Sequence, residues 1–472
     1  MKAATPPSPP PSSWLQRGWI AFCRLAARVF YRRFEVAGLE YLPTDGPVIL
    51  CANHVNALVD ALVVQAASPR PIHPIARSGL FRNPLLRPIL AIIQAVPIYR
   101  KPKDGRPVAG SNEDSFERCF EYLAEGRAIL IFPEGQSHSD PSLRPLKTGA
   151  ARLALGHQQR TGTPLRVIPV GLTFSRKGRF RGNVLVELGA PVPFPAPPAA
   201  APEESSEEQV RRYTEAIELG LERVTVNADS WEDVALLDLL QRFFTLRATA
   251  AKAAGTRGKV ALAERYRSLR RLIDAHRALR AVRPAEVEEL RGRLKRFDKL
   301  RRRFGVRDYQ LHLEYRFKTV LLFVGRTLLW VLLIFPLALW GLIFSLLPYL
   351  ATRFLAPRLA RARDQVDTAS LLVGLFLFPL TWAGETAVVD YYFGWKVALT
   401  FGLLLPPTAG LALKLGHERK RLQEEIRVFL MFSRRREIQH WLRQQRAELE
   451  EELARTARLA REAKQRLDSA SG

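Results

Sequence analysis

Apolar and polar positions divide the chain into segments of different character. From 35 to about 200, short apolar runs alternate with amphipathic stretches. PVILCANH (47–54) reads as a buried strand entering a polar turn, RPIHPIAR (70–77) holds a second strand, and LLRPILAIIQAVPIYR (85–100) reads as a helix and then a short strand. DSFERCFEYLAEG (114–126) has helical spacing and stops at Gly126, a helix C-cap signal. RAILIFPEG (127–135) is a buried strand ending in a turn, LKTGAARLALGHQ (146–158) another helix, and LRVIPVGLTF (165–174) and NVLVELGAPV (183–192) are strands. The pattern predicts an α/β unit whose polar loops follow its strands, which is where open α/β sheets bind ligands.

The flanks differ. Residues 1–13 read as a proline-rich, flexible leader. WLQRGWIAFCRLAARVFYRRF (14–34) sets Arg17, Arg24, Arg28, Arg32 and Arg33 among aromatic and aliphatic residues. Its apolar stretches are too interrupted for a secretory signal, and it predicts an amphipathic helix lying in lipid headgroups with its arginines snorkelling. VPFPAPPAAAPEES (192–205) has linker composition, and 201–316 is a helical region.

Residues 327–350, TLLWVLLIFPLALWGLIFSLLPYL, form a run of 24 without a charge. A helix of that length spans roughly 36 Å, against about 30 Å for the hydrocarbon core. Pro336 and Gly341 would break a soluble helix but are tolerated in lipid. A second apolar run starts at Ser370 and a third extends from Trp395 to Leu413, with only YYFG between Asp390 and Trp395, as in a tight hairpin. Residues 317–415 are therefore read as membrane-embedded helices, and 416–472 as a charged helix resembling a solvent-facing helix or short coiled coil. Basic clusters at 291–307, around Arg353, Arg358, Arg361 and Arg363, and at 417–421 flank the runs. Because positive flanks prefer the cytoplasmic side, they favour a re-entrant bend at 327–350 followed by a 370–413 hairpin.

Lys plus Arg number 72 and Asp plus Glu 46, a net charge of +26. That excess suits nucleic acid or an anionic membrane equally well. The uncharged runs decide for the membrane and against nucleic acid. Cys23, Cys51 and Cys119 exclude a disulfide scaffold and a four-cysteine zinc site. Cys51 has no neighbour that marks it as a nucleophile, and Asp60 and Asp104 have no metal-site spacing.

One constellation carries chemistry. NHVNALVDAL (53–62) puts His54 six residues before Asp60, in a turn opening an apolar helix. VPIYRKPKD (96–104) puts Arg100 just after a strand, FPEGQSHSD (132–140) follows another and precedes RPLKTG (144–149), and VIPVGLTF (167–174) is a strand. These four blocks, in this order over 35–200, resemble those of the glycerophospholipid acyltransferase family, the lysophosphatidate and glycerol-phosphate acyltransferases. The commonest first block has four residues between His and Asp. Here there are five, Val55 to Val59, a spacing that resembles the branch with fungal glycerol-phosphate and dihydroxyacetone-phosphate acyltransferases.

The resemblance implies an α/β acyltransferase domain at 35–200, with an amphipathic N-terminal helix, a helical middle region and a C-terminal α-helical membrane region. It implies a membrane-bound enzyme of phospholipid biosynthesis that moves a fatty acyl group from acyl-CoA or acyl carrier protein to a glycerol-3-phosphate or lysophosphatidate type acceptor. Dihydroxyacetone phosphate or another lysophospholipid is the alternative acceptor. A catalytically inactive membrane scaffold is the rival reading, opposed by the intact His54, Asp60 and FPEG.

In this chemistry an alcohol attacks a thioester, so His54 serves as general base and Asp60 holds its ring. Arg100 is the candidate to grip phosphate. Glu134 and Gly135 are the family's acceptor-binding block, with Glu134 accepting an acceptor hydroxyl or anchoring Arg100. Arg144 and Lys147 are further candidates to steer phosphate, Pro169 is architectural, and His138 lies outside the recurrent pattern. No metal or bound cofactor is expected; the acyl donor is a substrate. The expected partners are membrane lipid and the donor, the expected location a bacterial inner membrane with the site facing the cytoplasm. Oligomeric state is left open.

Overall fold

The structure, a computed structural model, describes residues 13–84, 86–99, 112–175, 181–194, 205–237, 239–240, 261–306, 310–311, 317–360 and 365–470. Two compact units divide it: Met1–Trp231 with Val260–Arg270 and Ala360–Ala369, and Glu232–Lys259 with Arg271–Leu359 and Ser370–Gly472.

Among the described residues the first unit is built on seven strands: β1 (Arg33–Ala37), β2 (Val48–Ala52), β3 (Ile72–Arg77), β4 (Val96–Ile98), β5 (Ala128–Ile131), β6 (Arg166–Phe174) and β7 (Asn183–Leu188). Their order is β1-β7-β6-β2-β5-β3-β4, parallel throughout except where β6 meets β7. Every residue of β2 and β5 is buried, as their unbroken apolar runs require of central strands covered on both faces. Helices α2 (Leu58–Ala67), α3 (Arg87–Ile92), α4 (Asn112–Ala124), α5 (Gly149–Thr161) and α6 (Ser206–Val224) follow in chain order.

Helix α6 places Val210, Tyr213, Ile217 and Leu221 in the same core as Ile49, Ile129, Leu153 and Val167. At about 1.5–3 kcal/mol for each fully buried aliphatic side chain, α6 is integral to this unit. The unit therefore extends beyond the boundary at 200 that linker composition suggests.

Helix α1 (Trp14–Phe30) starts at a capping box between Ser13 and Gln16. It buries Ile20, Cys23, Ala27 and Phe30 and packs on α2 and α3. Trp14, Leu25 and Val29 are exposed, beside Arg17, Arg24 and Arg28. The helix ends four residues before the expected 34. Tyr31 is extended, Arg32 N–H donates to Gly182 O, and β1 pairs with β7, so strand pairing takes the backbone groups that a longer helix would have used.

The second unit is helical. After α7 (Leu262–Val282), which begins in the first unit, come α8 (Pro284–Arg303), α9 (Phe317–Leu359), α10 (Val366–Phe393), α11 (Trp395–Arg434) and α12 (Arg436–Ala470). Among the described residues, three segments are long and apolar enough to cross a membrane: Leu332–Leu359, Val366–Phe393 and Trp395–Gly416. The expected re-entrant bend at 327–350 is absent, because α9 is one continuous helix with Pro336, Pro348 and Pro357 inside it. A membrane helix tolerates such prolines where the freed backbone groups find other partners. Helices α9 and α11 pack closely at Gly341, where a Cβ would come within 2.1 Å of the Thr408 backbone. Small residues permit that approach between helices in lipid. Phe401 of α11 meets Trp340 and Phe344 of α9 edge-on, with centroids 5.6 and 5.0 Å apart.

Candidate active site

Strands β2 and β5 are neighbours in parallel register, with Cys51 opposite Ile131. The segments leaving their C-terminal ends, Asn53–Ala57 and Phe132–His138, therefore emerge side by side. Asn53 ties the first of these to β6: its side chain accepts from Leu172 N–H at 2.7 Å and donates to Leu172 O at 3.2 Å.

His54 Nδ1 lies 2.9 Å from Asp60 Oδ2. The same oxygen accepts the Val55 and Asn56 amide N–H groups at 2.8 and 2.7 Å, and Asp60 is wholly buried. An ionised carboxylate only accepts, so Nδ1 carries the ring proton and Nε2 keeps its lone pair. The His54 side chain is 19 % exposed, and its ring stacks on Phe132 with centroids 4.2 Å apart.

The five-residue spacer is accommodated by a turn. Val59 N–H donates to Asn56 O at 3.2 Å, and Ala57 between them adopts φ 48°, ψ −128°. This is the first central position of a type II′ turn, which favours glycine. Helix α2 then begins at Leu58 and puts Asp60 in its first turn. Ala57→Gly is expected to stabilise the protein by about 1 kcal/mol and Ala57→Val to destabilise it by about 1–3 kcal/mol, read from thermal or denaturant unfolding.

The FPEG loop grips His54. Glu134 Oε1 accepts His54 N–H at 2.7 Å, and His138 N–H donates to His54 O at 3.0 Å. Glu134 Oε2 accepts Arg144 N–H at 3.0 Å and pairs with His138 Nε2. His138 Nδ1 accepts the Asp140 N–H at 3.1 Å, which leaves the proton on Nε2 to donate to Glu134. Glu134 is 3 % exposed, with both oxygens bound to the protein. Gly135 turns the chain at φ +73°, and Lys147 lies over it, so a Cβ there would meet the Lys147 side chain within 3 Å. Arg144 Nε bonds Asp140 at 2.6 Å. Lys147 is exposed and has no carboxylate partner among the described residues. Arg100 lies outside the described residues.

Pro169 is buried in β6 opposite Cys51 of β2, and its carbonyl accepts Gly189 N–H at 2.8 Å. Burial pushes the Cys51 thiol well up, so it is not a ready thiolate. Sequence reasoning misses the part of two residues of the site: Asn53, which gives no separate signal, and His138, which lies outside the recurrent pattern. The amide clamp and the buried imidazole are visible only once the strands are paired.

Residues 33–173 match the family model described as Acyltransferase, and residues 254–459 match that described as Glycerol-3-phosphate acyltransferase 2 C-terminal domain. The chain is 24% identical over 292 residues to Glycerol-3-phosphate O-acyltransferase 1 of Saccharomyces cerevisiae, a match covering 59% of this chain and 37% of that protein. It is 31% identical over 134 residues to Glycerol-3-phosphate O-acyltransferase 2 of the same yeast, covering 28% of this chain and 18% of that one. To a chloroplastic 1-acyl-sn-glycerol-3-phosphate acyltransferase of Brassica napus it is 31% identical over 144 residues, covering 30% and 38%. The chain thus spans well under half the length of each of these relatives.

Proposed function

We propose, for a chain that belongs to the glycerophospholipid acyltransferase family, a membrane-bound enzyme that transfers a fatty acyl group from a thioester donor to the hydroxyl of a phosphate-bearing glycerol acceptor. The observation that carries the reading is the His54–Asp60 pair at 2.9 Å, with the His54 ring partly exposed and Asp60 enclosed. His54 Nε2 takes the proton of the acceptor hydroxyl as its oxygen attacks the thioester carbonyl. Asp60 stabilises the imidazolium that forms. Collapse of the tetrahedral intermediate expels the thiolate, which takes that proton from His54. The ester forms, the thioester breaks, and no enzyme nucleophile is needed.

In this reading Glu134 positions His54, because its oxygens already hold the His54 and Arg144 amides and the His138 ring. This role is proposed in preference to accepting an acceptor hydroxyl or anchoring Arg100, the two roles expected for it. Gly135 keeps the turn open beneath Lys147. Lys147 is the stronger of the two phosphate candidates on this loop, since Arg144 is paired with Asp140. Arg100 grips the same phosphate from the block after β4. The preferred acceptor is glycerol 3-phosphate, supported by the two yeast relatives and by the five-residue His–Asp spacer. Lysophosphatidate is the second reading, favoured by the plant relative.

Acyl-CoA or acyl carrier protein is the donor. Both are cytoplasmic, so the site faces the cytoplasm, at the inner membrane if the host is bacterial. The three apolar helices support membrane attachment, and the exposed Trp14, Leu25 and Val29 beside Arg17, Arg24 and Arg28 support contact of α1 with headgroups.

The test is a kinetic panel on purified protein, with acyl-CoA and acyl carrier protein donors against glycerol 3-phosphate, dihydroxyacetone phosphate and lysophospholipids. Glycerol 3-phosphate should give the highest kcat/KM. Arg100→Ala and Lys147→Ala should each raise the acceptor KM about tenfold, with a smaller effect on the donor KM, as loss of a phosphate contact requires. A rise confined to the donor KM would move these residues to the coenzyme A side.

A further inference from the structure

The loop between His54 and Asp60 is completed by a residue far along the chain. Asn56 Nδ2 donates to Asp367 Oδ2 at 2.7 Å, across a sequence separation of 311, and both residues are buried. The Thr368 hydroxyl approaches Asn56 O at 3.4 Å. Asp367 and Thr368 stand in the first turn of α10, and Ala360–Ala369 belongs to the same compact unit as the sheet.

Asn56 is the corner of the site. Its backbone N–H donates to Asp60 Oδ2, its carbonyl closes the turn at Ala57, and its side chain reaches Asp367. Burial, and after it the Asp367 and Asp60 carboxylates, push the Tyr31 phenol well above its usual range, so the two carboxylates share one enclosed neighbourhood. A charge-assisted hydrogen bond from a buried amide to a buried carboxylate is strong and directional. Ala57 is held at positive φ, which persists only where surrounding contacts over-determine it.

We propose that Asp367 is a positioning residue for the His54–Asp60 pair: by holding the Asn56 side chain it fixes the turn that the five-residue spacer creates, so the first turn of α10 is part of the active site's construction. Asp367 lies outside the 33–173 acyltransferase match and inside the 254–459 match. The C-terminal region thereby supplies more than membrane attachment: it contributes a residue to the catalytic loop. The kinetic arm of the test rests on the general-base reading of His54; the structural arm does not.

The experiment compares the full-length wild type with Asp367→Ala, Asp367→Asn, Asn56→Ala and the double variant Asn56→Ala/Asp367→Ala, all in the same detergent. Hydrogen exchange is followed at the Val55 and Asn56 amides, and acyl transfer by initial rates. Asp367→Ala should speed exchange at these two amides about tenfold or more. It should lower kcat by roughly 10–100-fold with both KM values within about twofold, the pattern of a misplaced base rather than a lost substrate contact. Asp367→Asn should stay near wild type in both, since an amide oxygen accepts the same hydrogen bond. The double variant should be no worse than Asp367→Ala alone.

Wild-type exchange and kcat in Asp367→Ala would overturn the proposal. So would equal damage in Asp367→Asn and Asp367→Ala together with a fall in Tm, or additive losses in the double variant. If the wild type transfers no acyl group, the functional reading fails and the exchange comparison alone decides this inference.

Discussion

Replacing His54 by alanine is expected to lower acyl transfer by about three orders of magnitude or more, and Asp60→Asn by roughly 10²–10⁴-fold. His54→Ala removes the group proposed to take the acceptor's proton. Asp60→Asn removes the charge that stabilises imidazolium and puts an amide where one oxygen now accepts from His54 Nδ1 and from the Val55 and Asn56 N–H groups. The two losses differ in kind. His54→Ala should leave folding intact, because the ring is partly exposed and Asp60 keeps the Val55 and Asn56 N–H groups. Asp60→Asn should also cost stability, about 1–3 kcal/mol, because the new amide N–H₂ replaces either Oδ2, which accepts three contacts, or Oδ1, which is buried with no partner among the described residues. Initial rates with thermal unfolding on the same preparations check both, and normal turnover by folded His54→Ala protein would remove His54 as the base.

Glu134→Ala carries the second large effect. It deletes one carboxylate from three donors, the His54 N–H, the Arg144 N–H and the His138 ring, at a buried position. Each buried donor left without a partner costs about 1–3 kcal/mol, so destabilisation of about 3 kcal/mol or more is expected. Activity should fall about 10²-fold at temperatures where the variant is folded, because His54 loses its backbone anchor. Glu134→Gln should lie between, keeping one oxygen acceptor but turning an amide N–H₂ toward a donor. A loss seen only in the acceptor KM, with unchanged Tm, would return Glu134 to direct contact with the acceptor.

What could be read from the sequence follows from what local pattern encodes. The central strands were legible because VILCA and AILI are unbroken apolar runs bounded by turns, and such runs survive any neighbour. The end of α1 was not, since RFEVA alternates charge with apolar residues and continues the arginine-rich pattern before it. Only its pairing with β7, about 150 residues on, makes it a strand. The unbroken course of α9 was not legible because the expected re-entrant bend rested on the placement of basic flanks, which says nothing about local backbone, whereas α9 runs unbroken through Pro336, Pro348 and Pro357. The His54–Asp60 pair was legible from residue type and motif order. The positive φ at Ala57, the Asn53 clamp and the Asp367 anchor were not, because each depends on a partner brought near only by the fold.

The central claim is that this chain transfers an acyl group to a glycerophosphate hydroxyl with His54 as base. Its most direct test is detection by mass spectrometry of acylated glycerophosphate from purified full-length protein in lipid vesicles, supplied with an acyl thioester and glycerol 3-phosphate, beside His54→Ala protein in the same vesicles. Product that accumulates with time in the wild type and stays at the no-enzyme level in the variant is the expected result. No product from the wild type with either donor, or equal product from both proteins, would contradict it.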